Sequence, residues 1–258
     1  MKKKYPLKKI FIGRSKLFYR YLKKIIQTNY FYLILNYFNF LKNRIIRYRH
    51  QNLILIDGGA NLLQGFENLL TNKKINKKFK GFLFEPNPNC IPFINSRIKE
   101  KGFSDMDLTI EQKALSDENK IVNLRIEHVP GEHRLQYTDE FIGFGTYMGG
   151  ATSILENEWV KPGWIEKDNF INEEVEAISM SEYLLSNFDK SNYIVCKLDV
   201  EGAEFKIIQD LIKQDCLKYL NEAYVEWHPQ YNSNYSSKDV SNLKKIMIRN
   251  GMYVGFWL

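Results

Sequence analysis

Three short apolar stretches of this 258-residue chain each end in a carboxylate. They are NLILID at 52–57, GFLFE at 81–85 and YIVCKLD at 193–199. An almost uninterrupted apolar run of this length is typical of a strand that is buried on both faces, as in a parallel sheet covered by helices. Helical patterns separate the runs, and this alternation implies right-handed parallel crossovers. The sequence therefore predicts a doubly wound α/β sheet.

Weaker patterns complete the predicted order of elements. Apolar or alternating stretches predict further strands at 107–113, 121–127, 175–178, 223–227 and 252–257. Helical patterns predict helices at 63–71, 91–101, 180–186, 204–218 and 237–250. The segment 128–174 is rich in Gly, His and aromatic residues, and we expect it to be irregular. Its aromatic side chains form either a small hydrophobic core of the insertion or a lid that stacks on sugar rings.

Charge divides the chain at residue 50. Residues 1–50 contain 14 Lys and Arg and no Asp or Glu, whereas residues 51–258 contain 23 basic and 30 acidic residues. We therefore predict a basic, partly helical N-terminal extension over 1–50, followed by one domain over 51–258. The extension alone makes the protein basic.

The extension contains a dense apolar and aromatic run, YFYLILNYFNFL at 30–41. A membrane span needs about 20 mostly apolar residues, so this run is too short to cross a bilayer. One interpretation is a helix packed on the domain. The alternative is that the extension lies on an anionic membrane surface, which attracts Lys and Arg. Nucleic-acid binding is disfavoured because nothing nearby resembles a base-reading module.

Cysteine usage excludes two structural devices. Cys90, Cys196 and Cys216 are too few and too scattered for a disulfide framework or a zinc site. An odd number of unpaired thiols fits a reducing compartment. We expect a cytoplasmic protein, which the extension would make peripheral to the membrane in the second interpretation. Asp199, Glu201 and His228 have side chains that could hold a divalent metal. No short motif supports such a site, and we predict no metal.

Ligands of doubly wound sheets bind at the carboxyl ends of the strands. Asp57, Glu85 and Asp199 are therefore expected at one edge, and an acid after the second strand suits a pair of ribose hydroxyls. The first turn has Gly58 and Gly59, which allow close backbone approach. It lacks the G-x-G-x-x-G spacing of dinucleotide sites, and the chain has no G-x-x-x-x-G-K-[ST]. An adenosine ligand with a cationic or neutral tail remains, and S-adenosyl-L-methionine (SAM) fits this description.

Four motifs follow one another in a recognisable order: LIDGGAN at 55–61, LFEPNP at 83–88, KALSD at 113–117 and KLDVEGAE at 197–204. With this order the chain resembles the FkbM-type SAM-dependent methyltransferases over about residues 51–257. The resemblance implies a class I methyltransferase (Rossmann-like) sheet. It also implies O-methylation of a hydroxyl, usually on a sugar or a polyketide-like acceptor.

The resemblance also implies roles for single residues. Three residues of the first turn would bind the methionine end of SAM: Asp57, Gly59 and Asn61. Three consecutive residues would flank the adenine: Lys113, Ala114 and Leu115. Glu85 would bind the ribose hydroxyls, and Asp199 would lie beside the methyl donor. The sequence departs from the family turn D-x-G-A-N-x-G at one position, where Leu63 replaces the second glycine.

The expected reaction is an in-line displacement, in which a hydroxyl oxygen attacks the methyl group and loses its proton. Asp199, Glu201 and His228 are the predicted catalytic residues, and Glu204 and Glu226 complete the set of possible bases. Asp199, Glu201 and Glu204 flank a strand-to-helix turn, whereas His228 follows the next strand. A well-placed base contributes about 10²–10⁴-fold to the rate.

The predicted function is SAM-dependent O-methylation of a hydroxyl, with a sugar or glycan as the acceptor. Two alternatives remain open. A membrane-associated binding module could keep the fold without turnover, an interpretation that rests on Leu63. An RNA ribose methyltransferase is favoured only by the basic extension. A nicotinamide dehydrogenase is disfavoured by the missing G-x-G-x-x-G motif.

Overall fold

A computed structural model describes residues 29–49, 52–71, 78–127, 153–155 and 170–255. The strands are β1 (Leu53–Gly58), β2 (Lys80–Phe84), β3 (Leu108–Glu111), β4 (Ala114–Ser116), β5 (Lys120–Glu127), β6 (Phe170–Ser179), β7 (Tyr193–Leu198), β8 (Leu220–Val225) and β9 (Tyr253–Gly255). The α-helices are α1 (Asn29–Arg49), α2 (Gln64–Thr71), α3 (Ile91–Glu100), α4 (Met180–Asn187), α5 (Glu204–Lys213) and α6 (Ser237–Arg249).

Six strands form a parallel sheet in the order β3-β2-β1-β7-β8-β9. The chain runs outward from β1 to β3, then returns to place β7 beside β1 and continues to β8 and β9 in the opposite direction. The topological switch point therefore lies between β1 and β7, where Asp57 is in register with Lys197. This order confirms the predicted doubly wound sheet, and it makes the carboxyl ends of β1 and β7 the expected ligand site.

Side chains of β1 alternate between two hydrophobic clusters, one on each face of the sheet. Ile54 and Ile56 belong to the cluster that includes α4, α5 and α6, whereas Leu53 and Leu55 pack with α2 and α3. All six residues of β1 are buried. This explains the unbroken apolar run that the sequence shows here, because a strand covered by helices on both sides has no solvent face.

Besides the central sheet there is a second sheet of three strands, in the order β4-β6-β5. The two strands predicted at 121–127 and 175–178 belong to it and pair antiparallel. β6 begins at Phe170, so it is longer than predicted, and β4 was not predicted as a separate strand. The rest of the expected irregular segment lies outside the described residues, apart from 153–155.

Helix α5 ends earlier than the sequence predicted. It was expected to reach Lys218, but it ends at Lys213. Asp215 adopts a left-handed conformation (φ 55°), and the Cys216 N–H donates to the Leu211 carbonyl at 2.7 Å. Asp tolerates this conformation better than most residues, so the helix stops without the glycine that usually marks a C-terminus.

Helix α1 docks on the edge strand β9 through side-chain amides. Asn36 Nδ2 donates to the Val254 carbonyl at 2.8 Å, and the Val254 N–H donates to Asn36 Oδ1 at 2.9 Å. The Asn36 side chain thus pairs with the open edge of β9 as another strand would. Asn39 and Asn43, one and two turns further on, each donate to two more backbone carbonyls. The helix expected at 30–41 is therefore present, longer than expected, and packed on the domain.

A buried ion pair fixes the other end of α1. Arg47 Nη1 lies 3.0 Å from Glu222 Oε1, and Glu222 also accepts hydrogen bonds from Tyr193 (2.5 Å) and Tyr224 (3.0 Å). The side chain of Glu222 is only 4% exposed, so its charge is compensated by these donors rather than by water. Within the described residues, no helix is long and apolar enough to cross a membrane.

Candidate active site

The turn after β1 brings three strand ends into contact. Gly59 has φ +76°, and a Cβ atom there would lie 1.8 Å from the Asp199 carbonyl oxygen. The N–H groups of Gly59 and Ala60 both donate to the Phe84 carbonyl at 3.0 Å. Only glycine can occupy position 59, because the backbones of β1, β2 and β7 converge on it.

Leu63 adopts a backbone conformation that glycine favours. Its φ is 66°, in the left-handed region, and its side chain is fully buried in the cluster with α2 and α3. The family's second glycine would fall at this position. The turn therefore keeps the glycine-like backbone at a cost of about 1–2 kcal/mol for a non-glycine residue, while the leucine side chain packs in the core.

Glu85 follows β2 and is held by two backbone donors. Its Oε2 accepts from the Asn61 N–H at 2.7 Å and its Oε1 accepts from the Asn87 N–H at 2.9 Å. Burial raises the pKa of Glu85 to about 7, against the lowering effect of these two hydrogen bonds. Each carboxylate oxygen keeps a second lone pair, so Glu85 can still accept two hydroxyls from a ligand.

A cavity with both polar and apolar lining residues opens at the carboxyl ends of β1, β2 and β7. Such a mixed lining is typical of small-molecule sites. Seven of the predicted site residues line it: Gly59, Asn61, Glu85, Ala114, Leu115, Asp199 and Glu201. Six lining residues were not singled out from the sequence: Pro86, Asn87, Cys90, Leu124, Ile154 and Val200.

Four predicted residues lie outside the cavity lining. Asp57 and Gly58 are buried at the end of β1, and Lys113 directs its Nζ to Glu176 at 3.0 Å. His228 lies beside Asp199 and Glu201, just beyond the lining. The structure thus brings together the predicted adenine and ribose contacts at positions 114, 115 and 85, whereas the Lys113 side chain points to the surface.

Lys197 is a buried cation that sequence reasoning missed. Its Nζ lies 3.1 Å from Asp57 Oδ1 and 3.4 Å from Asp199 Oδ2, and it donates to the Gly59 carbonyl at 2.5 Å. Burial alone would lower the pKa of Lys197, but the charges of Asp57 and Asp199 raise it. Burial raises the pKa of Asp57, and Lys197 opposes that shift. The only signal in the sequence was a lysine inside an otherwise apolar strand.

Glu204 organises the turn between β7 and α5. Its side chain is fully buried and accepts hydrogen bonds from the N–H groups of Val200 (2.9 Å) and Gly202 (3.0 Å). Its Oε1 also lies 2.9 Å from His228 Nδ1. Glu204 therefore fixes the turn that carries Asp199 and orients the imidazole, rather than acting as an exposed first-turn acid.

The other nitrogen of His228 faces three more carboxylates. His228 Nε2 lies 3.6 Å from Glu226, 3.7 Å from Glu201 and 3.9 Å from Asp199. Burial lowers the pKa of His228, but hydrogen bonds to Glu204 and Glu226 and the nearby charges raise it to about 11. The imidazole is therefore protonated at neutral pH and is not free to accept a proton.

Glu201 is the carboxylate best matched to proton transfer. Burial raises its pKa to about 8, with the charge of His228 opposing and the other carboxylates adding to the shift. Its Oε2 is buried and has no hydrogen-bond partner within the described residues. A base works best when its pKa lies near the working pH. Glu201 lines the cavity, so it can reach a bound hydroxyl.

Residues 153–155 cover this corner of the site. Ser153 Oγ donates to the Glu201 carbonyl at 2.9 Å, and Ser153 also bridges to Arg125 of β5. Ile154 lines the cavity. The aromatic side chains that the sequence suggested for a lid lie outside the described residues: Tyr137, Phe141, Phe144, Tyr147, Trp159 and Trp164.

The same acidic corner offers ligands for a cation. One ligand atom each from Asp199, Glu226 and His228 lies within 4.8 Å of the other two. Oxygen and imidazole ligands suit divalent metals. A metal bound there would take the lone pair of His228 Nε2, so its binding would release the proton from this nitrogen.

Comparison with known proteins identifies the family of this chain. The model of the methyltransferase FkbM domain matches residues 57–244. A crystal structure of methyltransferase FkbM from Methylobacillus flagellatus KT is similar at 11% identity and a TM-score of 0.34. That match covers 64% of this chain and 30% of the other, so it spans less than a third of that protein's length. No curated protein matches the chain.

Proposed function

Because the chain belongs to the FkbM methyltransferase family, we propose that it transfers a methyl group from SAM to a hydroxyl oxygen. A sugar or glycan is the proposed acceptor. The observation that carries the proposal is the cavity at the switch point, which is lined by Glu85, Asp199 and Glu201. A site for this reaction needs a nucleoside pocket that adjoins a proton acceptor, and the presence of these three carboxylates in one cavity supports that arrangement.

The lining of the cavity fits SAM by its chemistry. The apolar side chains of Ala114, Leu115 and Leu124 suit an adenine face, and Glu85 suits the ribose hydroxyls. Asn61 and the backbone of Gly59 lie between Glu85 and Asp199 and suit the methionine end. When bound, SAM supplies an electrophilic methyl group on its sulfonium. A carboxylate at Asp199 favours that positive charge.

The acidic corner supplies the proton acceptor. Glu201 would take the hydroxyl proton as the acceptor oxygen gains its bond to carbon, and the sulfur would keep the electron pair of the broken bond. The protonated His228 balances the carboxylates around it and holds Glu201 and Asp199 in place. Glu204 fixes the imidazole from behind. This assigns the catalytic work to Glu201 and Asp199, with His228 as their charge partner.

Titration calorimetry tests the first half of the proposal. We expect SAM to bind in a one-to-one ratio and NAD not to bind. Absence of SAM binding would overturn the proposal, and NAD binding would favour a dehydrogenase. Binding of SAM without any turnover would favour a binding module that has kept the fold.

Transfer of a labelled methyl group tests the second half. Purified protein is incubated with methyl-tritiated SAM and either cell-envelope glycans, a panel of free sugars or total RNA. We expect label in the glycan or sugar fraction, with the same yield after treatment with a chelator, because the proposed proton acceptor, Glu201, needs no metal. Label in RNA alone would contradict the proposed acceptor, and loss of activity in chelator would assign a metal to Asp199, Glu226 and His228.

A further inference from the structure

Helix α1 presents a continuous apolar face to the outside of the domain. Eight large apolar or aromatic side chains are between 39% and 93% exposed and recur at helical spacing: Tyr30, Leu33, Ile34, Tyr37, Phe38, Leu41, Ile45 and Tyr48. A 21-residue helix is about 30 Å long. Contiguous apolar surface of this extent marks an interaction site more often than free surface.

The helix cannot bury this face by turning. Its inward face carries Asn36, Asn39 and Asn43, whose amides are bonded to the backbone of the domain, and Tyr32, which is buried. Surface helices normally place apolar residues inward and polar ones outward. In α1 the amides face the domain and much of the apolar surface faces outward, and no other part of the chain that the structure describes covers this outward face.

The positive charge of the N-terminal extension indicates which kind of surface binds the outward face of α1. The first 50 residues contain 14 Lys and Arg and no acid, and Lys42, Arg44 and Arg49 are exposed on α1 itself. A second copy of the chain would bring two such extensions together, and like charges repel. An anionic surface would attract them, and Tyr and Phe suit the boundary between lipid headgroups and acyl chains.

We propose that α1 lies in the plane of an anionic lipid surface, with its outward apolar face inserted among the headgroups and its asparagine face holding the domain. An amphipathic helix with basic residues binds in this way without crossing the bilayer. The catalytic domain would then sit at the membrane with its orientation fixed by the amides of α1. This inference does not depend on the proposed reaction.

Vesicle binding by the full chain tests the inference. One set of vesicles contains phosphatidylcholine alone, and the other contains equal parts of phosphatidylcholine and phosphatidylglycerol. We expect binding to the anionic set only, at low salt, with partial release at high salt because screening weakens the charge attraction. The double variant Leu33→Ser/Phe38→Ser should lower the partition coefficient at least about tenfold, since it removes two inserted apolar side chains.

Ile121→Ser/Leu185→Ser is the matched control, because both residues are exposed apolar residues outside α1. It should leave the partition coefficient unchanged. Three results would overturn the inference: no binding to anionic vesicles, equal binding by Leu33→Ser/Phe38→Ser, or a wild-type dimer that this variant converts to a monomer. Equal binding would mean that the basic charges suffice, and the dimer would mean that a second copy covers the face.

A site-specific probe keeps the test independent of the double variant. Cys90, Cys196 and Cys216 are buried, so a cysteine introduced at an exposed position can be labelled selectively. An environment-sensitive fluorophore on Phe38→Cys should shift to the blue when anionic vesicles are added. The same fluorophore on Leu185→Cys should not shift. A probe at position 38 that stays in water while the protein is vesicle-bound would also overturn the inference.

Discussion

At the scale of single residues, Glu85 joins the end of β2 to the proposed ribose site. Glu85→Gln should weaken SAM binding by about 1–3 kcal/mol, because it removes a charge-assisted acceptor. With its pKa raised to about 7, the wild-type residue is protonated at lower pH and loses acceptor capacity. SAM affinity should therefore fall as the pH drops through 7 in the wild type but not in the variant.

Calorimetry at several pH values measures this effect. Glu67→Gln is a suitable control, because Glu67 pairs with Arg97 between α2 and α3 and does not line the cavity. If Glu85→Gln binds SAM as tightly as the wild type, then Glu85 does not contact the ligand.

Glu201 makes a separate prediction about the pH dependence of turnover. Its pKa is raised to about 8, so the proton-accepting form grows as the pH rises from 7 to 9. The turnover number should rise over this range. Glu201→Gln should lower it by about 10²–10⁴-fold and abolish the rise, whereas Glu174→Gln, at an exposed position on β6, should change neither. A rising limb that survives in Glu201→Gln would assign the base to another group.

Lys197 allows the contribution of a buried ion pair to stability to be compared with that of an exposed one. Lys197→Met leaves Asp57 buried without its cation, which should lower the free energy of unfolding by about 3–5 kcal/mol. Lys197→Met/Asp57→Asn should recover part of the loss. Lys120→Met, which breaks an exposed pair with Glu118, should cost no more than about 1 kcal/mol. Urea unfolding measures all three, and equal losses at positions 197 and 120 would contradict the buried pairing.

At the scale of elements, the sequence correctly predicted those strands whose positions depend on local patterns of residues. β1, β2 and β7 were placed to within a residue or two, because an apolar run with a terminal carboxylate and a glycine or proline after it is a local signal. The positions of Glu85 and Asp199 followed from the carboxyl ends of two predicted strands, and that of Glu201 from the turn after Asp199. The pairing of Lys197 with Asp57 did not, because it depends on the register between two strands that lie far apart in the sequence.

The inward face of α1 was equally hidden from sequence reasoning, because asparagine is usually an exposed residue. Asn39 tests its role, since its amide donates to the carbonyls of Ile248 and Met252 at 2.9 Å. Asn39→Ala should lower the free energy of unfolding by about 1–3 kcal/mol, the cost of buried carbonyls left without a donor. Asn95→Ala on the exposed side of α3 should cost about 0.5 kcal/mol or less. Equal effects of the two in urea unfolding would mean that the amides of α1 do not hold it to the domain.

At the scale of the whole molecule, α1 packs on the domain, although the change of charge at residue 50 separates the two in the sequence. Leu35 packs against the cluster on one face of the sheet and Ile46 against the cluster on the other. Between them, Asn36 pairs with the edge of β9, and Asn39 and Asn43 bond to backbone carbonyls of neighbouring segments. The charge boundary at residue 50 and the packing boundary of the domain therefore differ, because charge follows local composition whereas packing depends on contacts more than 170 residues apart in the chain.

Removal of α1 tests whether the predicted domain 51–258 is stable without it. A chain that begins at Gln51 loses the Arg47 partner of Glu222 and uncovers Val254 at the sheet edge. An unpaired buried carboxylate and an open edge strand should both destabilise it. We expect its melting temperature to fall by roughly 10 °C or more, since 1 kcal/mol corresponds to about 2–4 °C for a domain of this size. Glu222→Gln in the shortened chain removes the unpaired charge and should recover part of the loss. Equal melting temperatures for the full and shortened chains would show that α1 is an appendage, and its amides would then be too weakly bound to orient the domain on a membrane.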